Sequence, residues 1–357
     1  MLKFKVLKAG HGDCILLSLD IEGVNKNILI DGGVSATFRS QNSKGPLLKE
    51  LERISSLGER VDLLILTHID DDHIGGLIKG FKDNGILTQL TDKVWFNAAN
   101  SIAEHFGFDK NYNKSVSAEQ FQLEETNNNT SVRQGVTFER YVTSLKIWDK
   151  SLIKAGNSYS FFGLKFTILS PNDLTLQKLF NKWEREESSN FTSSKESDYR
   201  ENLRDLLGDD IFDEDKSIAN GSSIAFLVEY SDKNILFLGD AHSSVIEQEL
   251  EKLGFTEANP LNVEYVKLSH HGSKFNTSPR LLSILNCNNF IISSNTKIFN
   301  LPNKKTIARL LNNKSELKIY FNYPEIIKEK IFSEPEIKLL EQMGAKCLAC
   351  EEPFKIK

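Results

Sequence analysis

The run Leu64-Ile65-Leu66-Thr67-His68-Ile69-Asp70-Asp71-Asp72-His73-Ile74-Gly75-Gly76 constrains this chain more than any other segment. Its apolar start reads as a buried strand, and its polar end sits where a loop can converge on a metal. Neutral imidazole and carboxylate are the ligands of zinc and of its harder first-row neighbours. His68, Asp70 and Asp72 alternate along the sequence, so they face one way on an extended chain. A turn at Asp72-His73 lets adjacent residues reach a second ion. The plainer alternative for the same letters is an N-cap carboxylate and solvated histidines ahead of a helix.

Three further landmarks lie along the chain. Asp31-Gly32-Gly33 follows the apolar strand Asn27 to Ile30, Leu236-Phe237-Leu238-Gly239-Asp240 ends a strand on an aspartate, and Leu268-Ser269-His270-His271-Gly272-Ser273 carries a histidine pair. Together with the first run, they resemble the metallo-β-lactamase-fold hydrolases. The run at 68–73 is similar to that family's His-x-His-x-Asp-His signature, with Asp70 in the second histidine position. The landmarks stand in family order over residues 1–300. Gly10-His11-Gly12-Asp13-Cys14-Ile15-Leu16-Leu17 is similar to the Gly-Gln-Gly-Asp-Ala opening of the ComEC-like branch, which includes the hydrolase domain of bacterial DNA-uptake channels. Asn220-Gly221-Ser222-Ser223, Gly239-Asp240 and His270-His271-Gly272-Ser273 fit that branch too, and its members often carry aspartate where Asp70 sits.

The resemblance implies an α/β protein: an αββα sandwich of two mixed sheets with helices outside. It also implies a metal-dependent hydrolase acting through a metal-bound hydroxide, with Zn²⁺ or Mn²⁺ as cofactor in one or two ions. By the family pattern His68 and Asp70 hold one ion. Asp72, His73 and a histidine of the 270–271 pair hold the other, and Asp240 bridges. His270 is the favoured ligand of the pair, which leaves His271 beside the metal or facing substrate, and the reverse order stays open. Asp72 is expected to orient the attacking hydroxide as well. Leaving-group protonation needs an acid, for which His11 and His242 qualify by motif proximity.

The chain departs from the family at two places. Its seven histidines stand at 11, 68, 73, 105, 242, 270 and 271. The usual middle histidine is absent, and Asn220-Gly221-Ser222-Ser223 occupies that neighbourhood. More oxygen among the ligands favours a harder ion such as Mn²⁺, or weaker Zn²⁺ occupancy. The family's late His-Pro reads Leu301-Pro302, so no role carries over there.

Substrate follows from the branch: a phosphodiester, with nucleic acid or a nucleotide as the first expectation. The alternatives are a lactone or thioester hydrolase, or a catalytically weakened partner-binding module. A net charge of −5, with 44 basic against 49 acidic residues, is a poor match to nonspecific gripping of long duplex DNA. A small or single-stranded substrate fits better. Lys304-Lys305 and the lysines flanking the histidine pair, Lys267 and Lys274, read as solvated surface residues.

Composition bounds the rest. The 357 residues, 39% hydrophobic and 26% charged, suit one large α/β domain with insertions. No apolar run approaches the ~18 residues that a membrane span needs, and Met1 to Lys5 goes directly into strand-like alternation. A free-standing cytoplasmic version without the channel is therefore expected. Cys14, Cys287, Cys347 and Cys350 do not form a disulfide framework.

Strands are expected at Leu2–Leu7, Cys14–Leu19, Asn27–Ile30, Val61–Leu66, Lys93–Phe96, Ser160–Leu169, Ser223–Tyr230, Asn234–Leu238, Val263–Leu268, Phe290–Ser293 and Leu317–Phe321. Helices are expected from Pro46 to near Gly58, from about Ile74, and at Leu174–Trp183, Val245–Leu253, Thr306–Leu311 and Glu336–Gln342. Residues 98–155 lose periodicity and read as a first insertion, with Asn127 to Thr130 loop-like. A second insertion, 173–218, includes the polar tract Ser188 to Ser197 and nine acidic residues between Glu196 and Asp215. It reads as a solvated excursion, with a lid over the site as the functional alternative.

Overall fold

The computed structural model describes residues 1–41, 43–82, 85–108, 131–185, 197–208, 210–314, 316–350 and 353–356. Asn127 to Thr130 and all but Ser197 of the Ser188 to Ser197 tract lie outside the described residues. A six-stranded sheet runs, in spatial order, Phe354–Ile356, Leu2–Val6, Ile15–Ile21, Val24–Ile30, Val61–Ile65 and Val94–Trp95. An eight-stranded sheet runs Lys346–Ala349, Lys318–Phe321, Asn289–Ile292, Tyr265–Lys267, Lys233–Phe237, Ala225–Tyr230, Leu164–Ser170 and Ser158–Phe161.

Side-chain parity sorts the apolar residues into three layers. Leu17, Ile28, Ile30, Leu63 and Ile65 from the first sheet meet Phe166, Ile168, Phe226, Val228, Ile235 and Phe237 from the second in one buried cluster. The alternate positions Leu16, Leu29 and Leu64 face outward onto Leu47, Leu51 and Ile54 of helix Pro46–Ser56 and onto Ile74 and Leu77 of helix Asp71–Phe81. Leu227, Leu236, Val266, Phe290 and Ile319 likewise pack on the helices of the other face. Strands buried on both faces read as near-continuous apolar runs, which explains their clarity in the sequence. The arrangement is the αββα sandwich that the sequence resemblance implies.

Parallel pairing positions the functional loops. Val61–Ile65 is parallel to Val24–Ile30, and Tyr265–Lys267 is parallel to Lys233–Phe237. Parallel neighbours end on the same side, so the segments after Ile30, Ile65, Phe237 and Lys267 gather together. Those segments carry Asp31, the 68–73 run, Asp240 and the histidine pair.

Several elements differ from expectation. Helix Asp71–Phe81 begins inside the polar run, with Asp71 and Asp72 in its first turn, rather than near Ile74. Helix Ser131–Ser144 lies in the stretch read as aperiodic; its buried face includes Gln134 and Glu139, and buried polar residues hide the apolar period. Strands Lys346–Ala349 and Phe354–Ile356 were not apparent in the sequence.

The acidic excursion is clamped where it is described. The Asp198 carboxylate accepts from the backbone N–H of Lys304 (2.9 Å) and of Lys305 (3.0 Å), opening helix Lys304–Asn313 as an anion at its N-terminus. The Lys304 ammonium donates to the carbonyls of Tyr199 and Glu201 and to Glu336, and Lys305 donates to the Leu206 carbonyl. Arg309 forks onto Asp210 and also donates to the carbonyls of Lys274 and Thr277. Lys304 is 1% exposed. The surface reading of the Lys304-Lys305 pair thus gives way to an anchoring one, because each ammonium has carbonyl or carboxylate partners that repay its burial.

Candidate metal centre

Asp31 sits directly after its strand, in the left-handed region at φ 55°. Its carboxylate accepts from the Thr67 N–H (2.8 Å) and the Thr67 hydroxyl (2.7 Å), and it faces His73 Nδ1 at 2.8 Å. Donating its hydrogen bond to Asp31, the Thr67 hydroxyl can accept from His68 Nδ1, 3.1 Å away. One carboxylate therefore ties down the Nδ1 side of two histidines and leaves both Nε2 atoms directed inward.

Asp240 is the hub of that inner space. Its Oδ1 lies 3.5 Å from His73 Nε2, and its Oδ2 lies 3.7 Å from His68 Nε2 and 3.9 Å from both His270 and His271 Nε2. Asp72 Oδ2 is 3.3 Å from His271 Nε2 and 4.0 Å from His73 Nε2. Asp70 Oδ2 is 3.7 Å from His68 Nε2. Two groups have ligand atoms all within 4.8 Å of one another: His68 with His73 and Asp240, and Asp72 with His73 and His271.

The polar accounting of this cluster is incomplete in a telling way. The Nε2 atoms of His68, His73 and His271 and the Oδ1 atoms of Asp70 and Asp240 are buried without a hydrogen-bond partner. Buried polar atoms are nearly always satisfied, and here the orphans converge on one volume. Imidazole nitrogens and carboxylate oxygens form a donor set that a divalent first-row cation completes. The residues fit the metal that the fold implies.

Electrostatics point the same way. Burial opposes ionisation of Asp240, but His73, His271 and His270 outweigh it and hold the carboxyl well below its usual range. Asp72 is held low against its burial by His73 and His271. Burial would lower His73, yet Asp240, Asp31 and Asp72 raise it well above an ordinary imidazole. Burial and the neighbouring His73 push His68 down. Carboxylates in this cluster demand positive charge, and Lys267 is already engaged by Asp13.

The histidine pair divides its work. Residues 270, 271 and 272 all have positive φ (45°, 55° and 85°), a sequence of left-handed residues that splays the two imidazoles apart. His271 joins Asp72 and His73, whereas His270 Nδ1 lies 3.0 Å from Asn276 Oδ1, 3.3 Å from Asn220 Nδ2 and 3.5 Å from Asp215 Oδ2. The sequence favoured His270 as the ligand with the reverse order open; His271 shares a candidate group with Asp72 and His73, while the Nε2 atoms of both His270 and His271 lie 3.9 Å from Asp240. Burial would lower His270, but Asp240 and Asp215 raise it to about 9. Asn220, from the segment where the middle histidine is missing, bonds Asp215 at 2.7 Å.

Of the two acid candidates, His242 is committed to structure. Its Nε2 is 3.0 Å from the Ser217 carbonyl, and its ring packs on Gly221. His11 stands nearer the chemistry: burial lowers its pKa while Asp72 opposes, and its ring meets the edge of Phe299 at 5.3 Å. No role at the site was expected for Asp13, Lys267, Asp215 or Asn276. A lysine between Val266 and Leu268 on an apolar strand was the available signal for Lys267, which is 1% exposed rather than solvated. Nothing local marks Asp215, since only the fold brings it to His270.

Residues 8–125 match the family model of the metallo-beta-lactamase superfamily. No curated protein matches the chain. Among solved structures, Zn²⁺-bound PqqB from Methylobacterium extorquens is similar at 10% identity and a TM-score of 0.43, with all of both chains covered (100% each). The metallo-beta-lactamase fold protein YhfI from Bacillus subtilis is similar at 9% identity and a TM-score of 0.42, over 90% of this chain and 96% of that one. CmlA, a diiron beta-hydroxylase from Streptomyces venezuelae, is similar at 9% identity and a TM-score of 0.42, over 99% of this chain. The chain spans about half (54%) of the length of CmlA. Among the described residues, no helix is long and apolar enough to cross a membrane.

Proposed function

We propose that this protein is a metal-dependent hydrolase of phosphodiester bonds, nearest to the ComEC-like branch, built as one domain with two insertions. The observation that carries the hydrolase reading is the convergence of unpartnered Nε2 atoms of His68, His73 and His271 around Asp240. These residues, with Asp72 and Asp70, would hold one or two divalent ions, Zn²⁺ or Mn²⁺. When bound, such an ion lowers the pKa of a coordinated water and neutralises charge on the scissile group.

The chain's own residues supply the rest. Asp72, held ionised, accepts a hydrogen bond from the attacking water and orients it. Asp31 and Thr67 keep the Nδ1 sides of His73 and His68 occupied, so both rings present bare Nε2 atoms. His270, backed by Asp215, can hold a proton beside Asp240. Phosphodiester preference rests on the branch resemblance, above all on the Gly10 to Asp13 opening, whose Asp13 N–H donates to the Asp72 carbonyl at 3.2 Å. The net charge of −5 supports a nucleotide or short single strand over a gripped duplex.

The test is hydrolysis of a generic phosphodiester and a short single-stranded DNA by protein reconstituted with Mn²⁺ or Zn²⁺, beside Asp72→Ala and Asp240→Ala. Metal-dependent cleavage lost in both variants is expected. Cleavage of lactones or thioesters alone would redirect the substrate reading. Failure to hold metal at all would overturn the hydrolase reading in favour of a partner-binding module.

A further inference from the structure

Beneath His271 lies a buried ion pair that the reaction outlined above does not use. Asp13 is 2% exposed and Lys267 is 1% exposed. The Lys267 ammonium donates to Asp13 Oδ2 and to the Leu268 carbonyl (3.0 Å). Replacing a buried pair by apolar residues is often neutral or stabilising, so such a pair is weak support for stability alone. Its other oxygen suggests the reason for its presence. Asp13 Oδ1 faces His271 Nδ1 at 3.4 Å, and neither atom has another partner.

The loop that delivers Asp13 is fixed on every side. A Cβ on Gly12 would stand 1.7 Å from the Asp72 carbonyl oxygen, so only glycine lets this loop close on the metal-facing run. The Gly12 carbonyl accepts from Ser293 Oγ at 2.8 Å, the Gly10 carbonyl from the Asn295 N–H at 3.0 Å, and the Gly10 N–H donates to the Tyr323 hydroxyl at 2.8 Å. Strand Tyr265–Lys267 brings Lys267 from the opposite sheet. Asp13 thus faces the Nδ1 side of His271 at 3.4 Å, a longer contact than the 2.8 Å hydrogen bond between Asp31 and His73 but in the same relation to the ring.

We infer that Asp13, held in place by Lys267, is the positioning carboxylate of His271. It keeps the proton on Nδ1, so that Nε2 offers its lone pair toward Asp72 and Asp240, where a divalent cation would sit. This inference rests on the metal-centre reading of the preceding section. It adds a positioning pair that neither the ligand pattern nor the 68–73 run specifies. A ligand histidine that loses its carboxylate partner typically costs 10–100-fold in metal affinity.

The test uses the full chain with Zn²⁺ or Mn²⁺ alone as probe. Wild type is compared with Asp13→Asn and with the paired Asp13→Asn/Lys267→Met, which removes both charges and avoids stranding a buried ammonium. Calorimetric titration reads metal affinity, and ¹⁵N imidazole NMR of the zinc-loaded protein reads the His271 tautomer. The expected result is an Nδ1–H signal on His271 in wild type, its loss in the paired variant, and roughly 10–100-fold weaker binding of an ion. An Nε2–H tautomer in wild type overturns the inference before any variant is made. Wild-type affinity with an unchanged tautomer in the paired variant overturns it too. Wild type that binds neither ion fails earlier, at the metal-centre reading itself, and the wild-type titration separates the two failures.

Discussion

His73 Nδ1 lies 2.8 Å from Asp31 Oδ2, and the same carboxylate holds both the N–H and the hydroxyl of Thr67. A single side chain at one strand end thus fixes the next strand's exit and the orientation of a ligand-bearing helix. Asp31→Ala removes a charged acceptor from these three contacts. With hydrogen bonds to charged groups worth about 1.5–3 kcal/mol each and partial relaxation, the net loss should be ~3 kcal/mol. Urea unfolding in chelator measures that loss. Metal affinity should fall by roughly 10–100-fold as His73 loses its tautomer, and unchanged affinity would show that His73 needs no orienting partner.

Asp240 presents a second case, a buried carboxylate whose removal should cost metal binding as well as stability. Its side chain is surrounded by His68, His73, His270 and His271. Asp240→Asn keeps shape and removes one buried negative charge from a cluster rich in them. The melting temperature of the chelated protein should fall, because His73, His270 and His271 lose the carboxylate that they favour, while metal content measured by emission spectrometry also falls and hydrolysis is abolished. A variant that retains full metal content would remove Asp240 from the ligand set.

Arg309 joins the excursion to the histidine loop. It is 3% exposed, forks onto Asp210, and donates to the carbonyls of Lys274 and Thr277 on either side of Asn276. Asn276 in turn touches His270 and Asp215. Arg309→Met leaves Asp210 with Lys305 and takes the donor from the Lys274 and Thr277 carbonyls, and should cost about 1.5–3 kcal/mol. Arg309→Lys should rescue little, because one ammonium cannot reproduce the fork. Denaturant midpoints of the two variants provide the comparison, and full rescue by lysine would show that charge alone suffices.

Why some of this was legible and some not follows from where each signal resides. Leu63, Leu64 and Ile65 announce a strand buried on both faces, because each sheet lies between a helix layer and the other sheet. His68, Asp72, His73 and Asp240 stood out as candidate ligands because imidazoles and carboxylates cluster at strand ends in short runs. Helix Ser131–Ser144 was hidden by Gln134, which turns inward to donate to Asp71 at 2.6 Å. Asp13 and Lys267 meet across 254 residues of sequence, and Asp215 and His270 across 55, so only the folded chain pairs them. The order of His270 and His271 is a matter of backbone torsion, which residue types at those positions do not disclose.

Acid should loosen the excursion before it loosens the core. Burial would raise Asp210, but Arg309 and Lys305 outweigh it and hold the carboxyl below its ordinary value. Glu336, which accepts from Lys304, the Leu203 N–H and the Ser333 N–H, is likewise lowered against its burial. A carboxyl depressed in the folded state contributes stability that is complete above its unfolded pKa, near 4. That contribution is lost as pH falls through the folded value. The clamp should therefore be constant from neutral pH down to about 5 and weaken below about 4. Hydrogen exchange on chelated protein at pH 6, 4 and 3, corrected for intrinsic rates, follows it directly. Amides in the described part of 197–217 should lose protection ahead of strands Ala225–Tyr230 and Lys233–Phe237, which pair with each other inside the eight-stranded sheet. Simultaneous loss in both regions would mean that the excursion unfolds only with the sandwich, and that its ion pairs do not set its attachment.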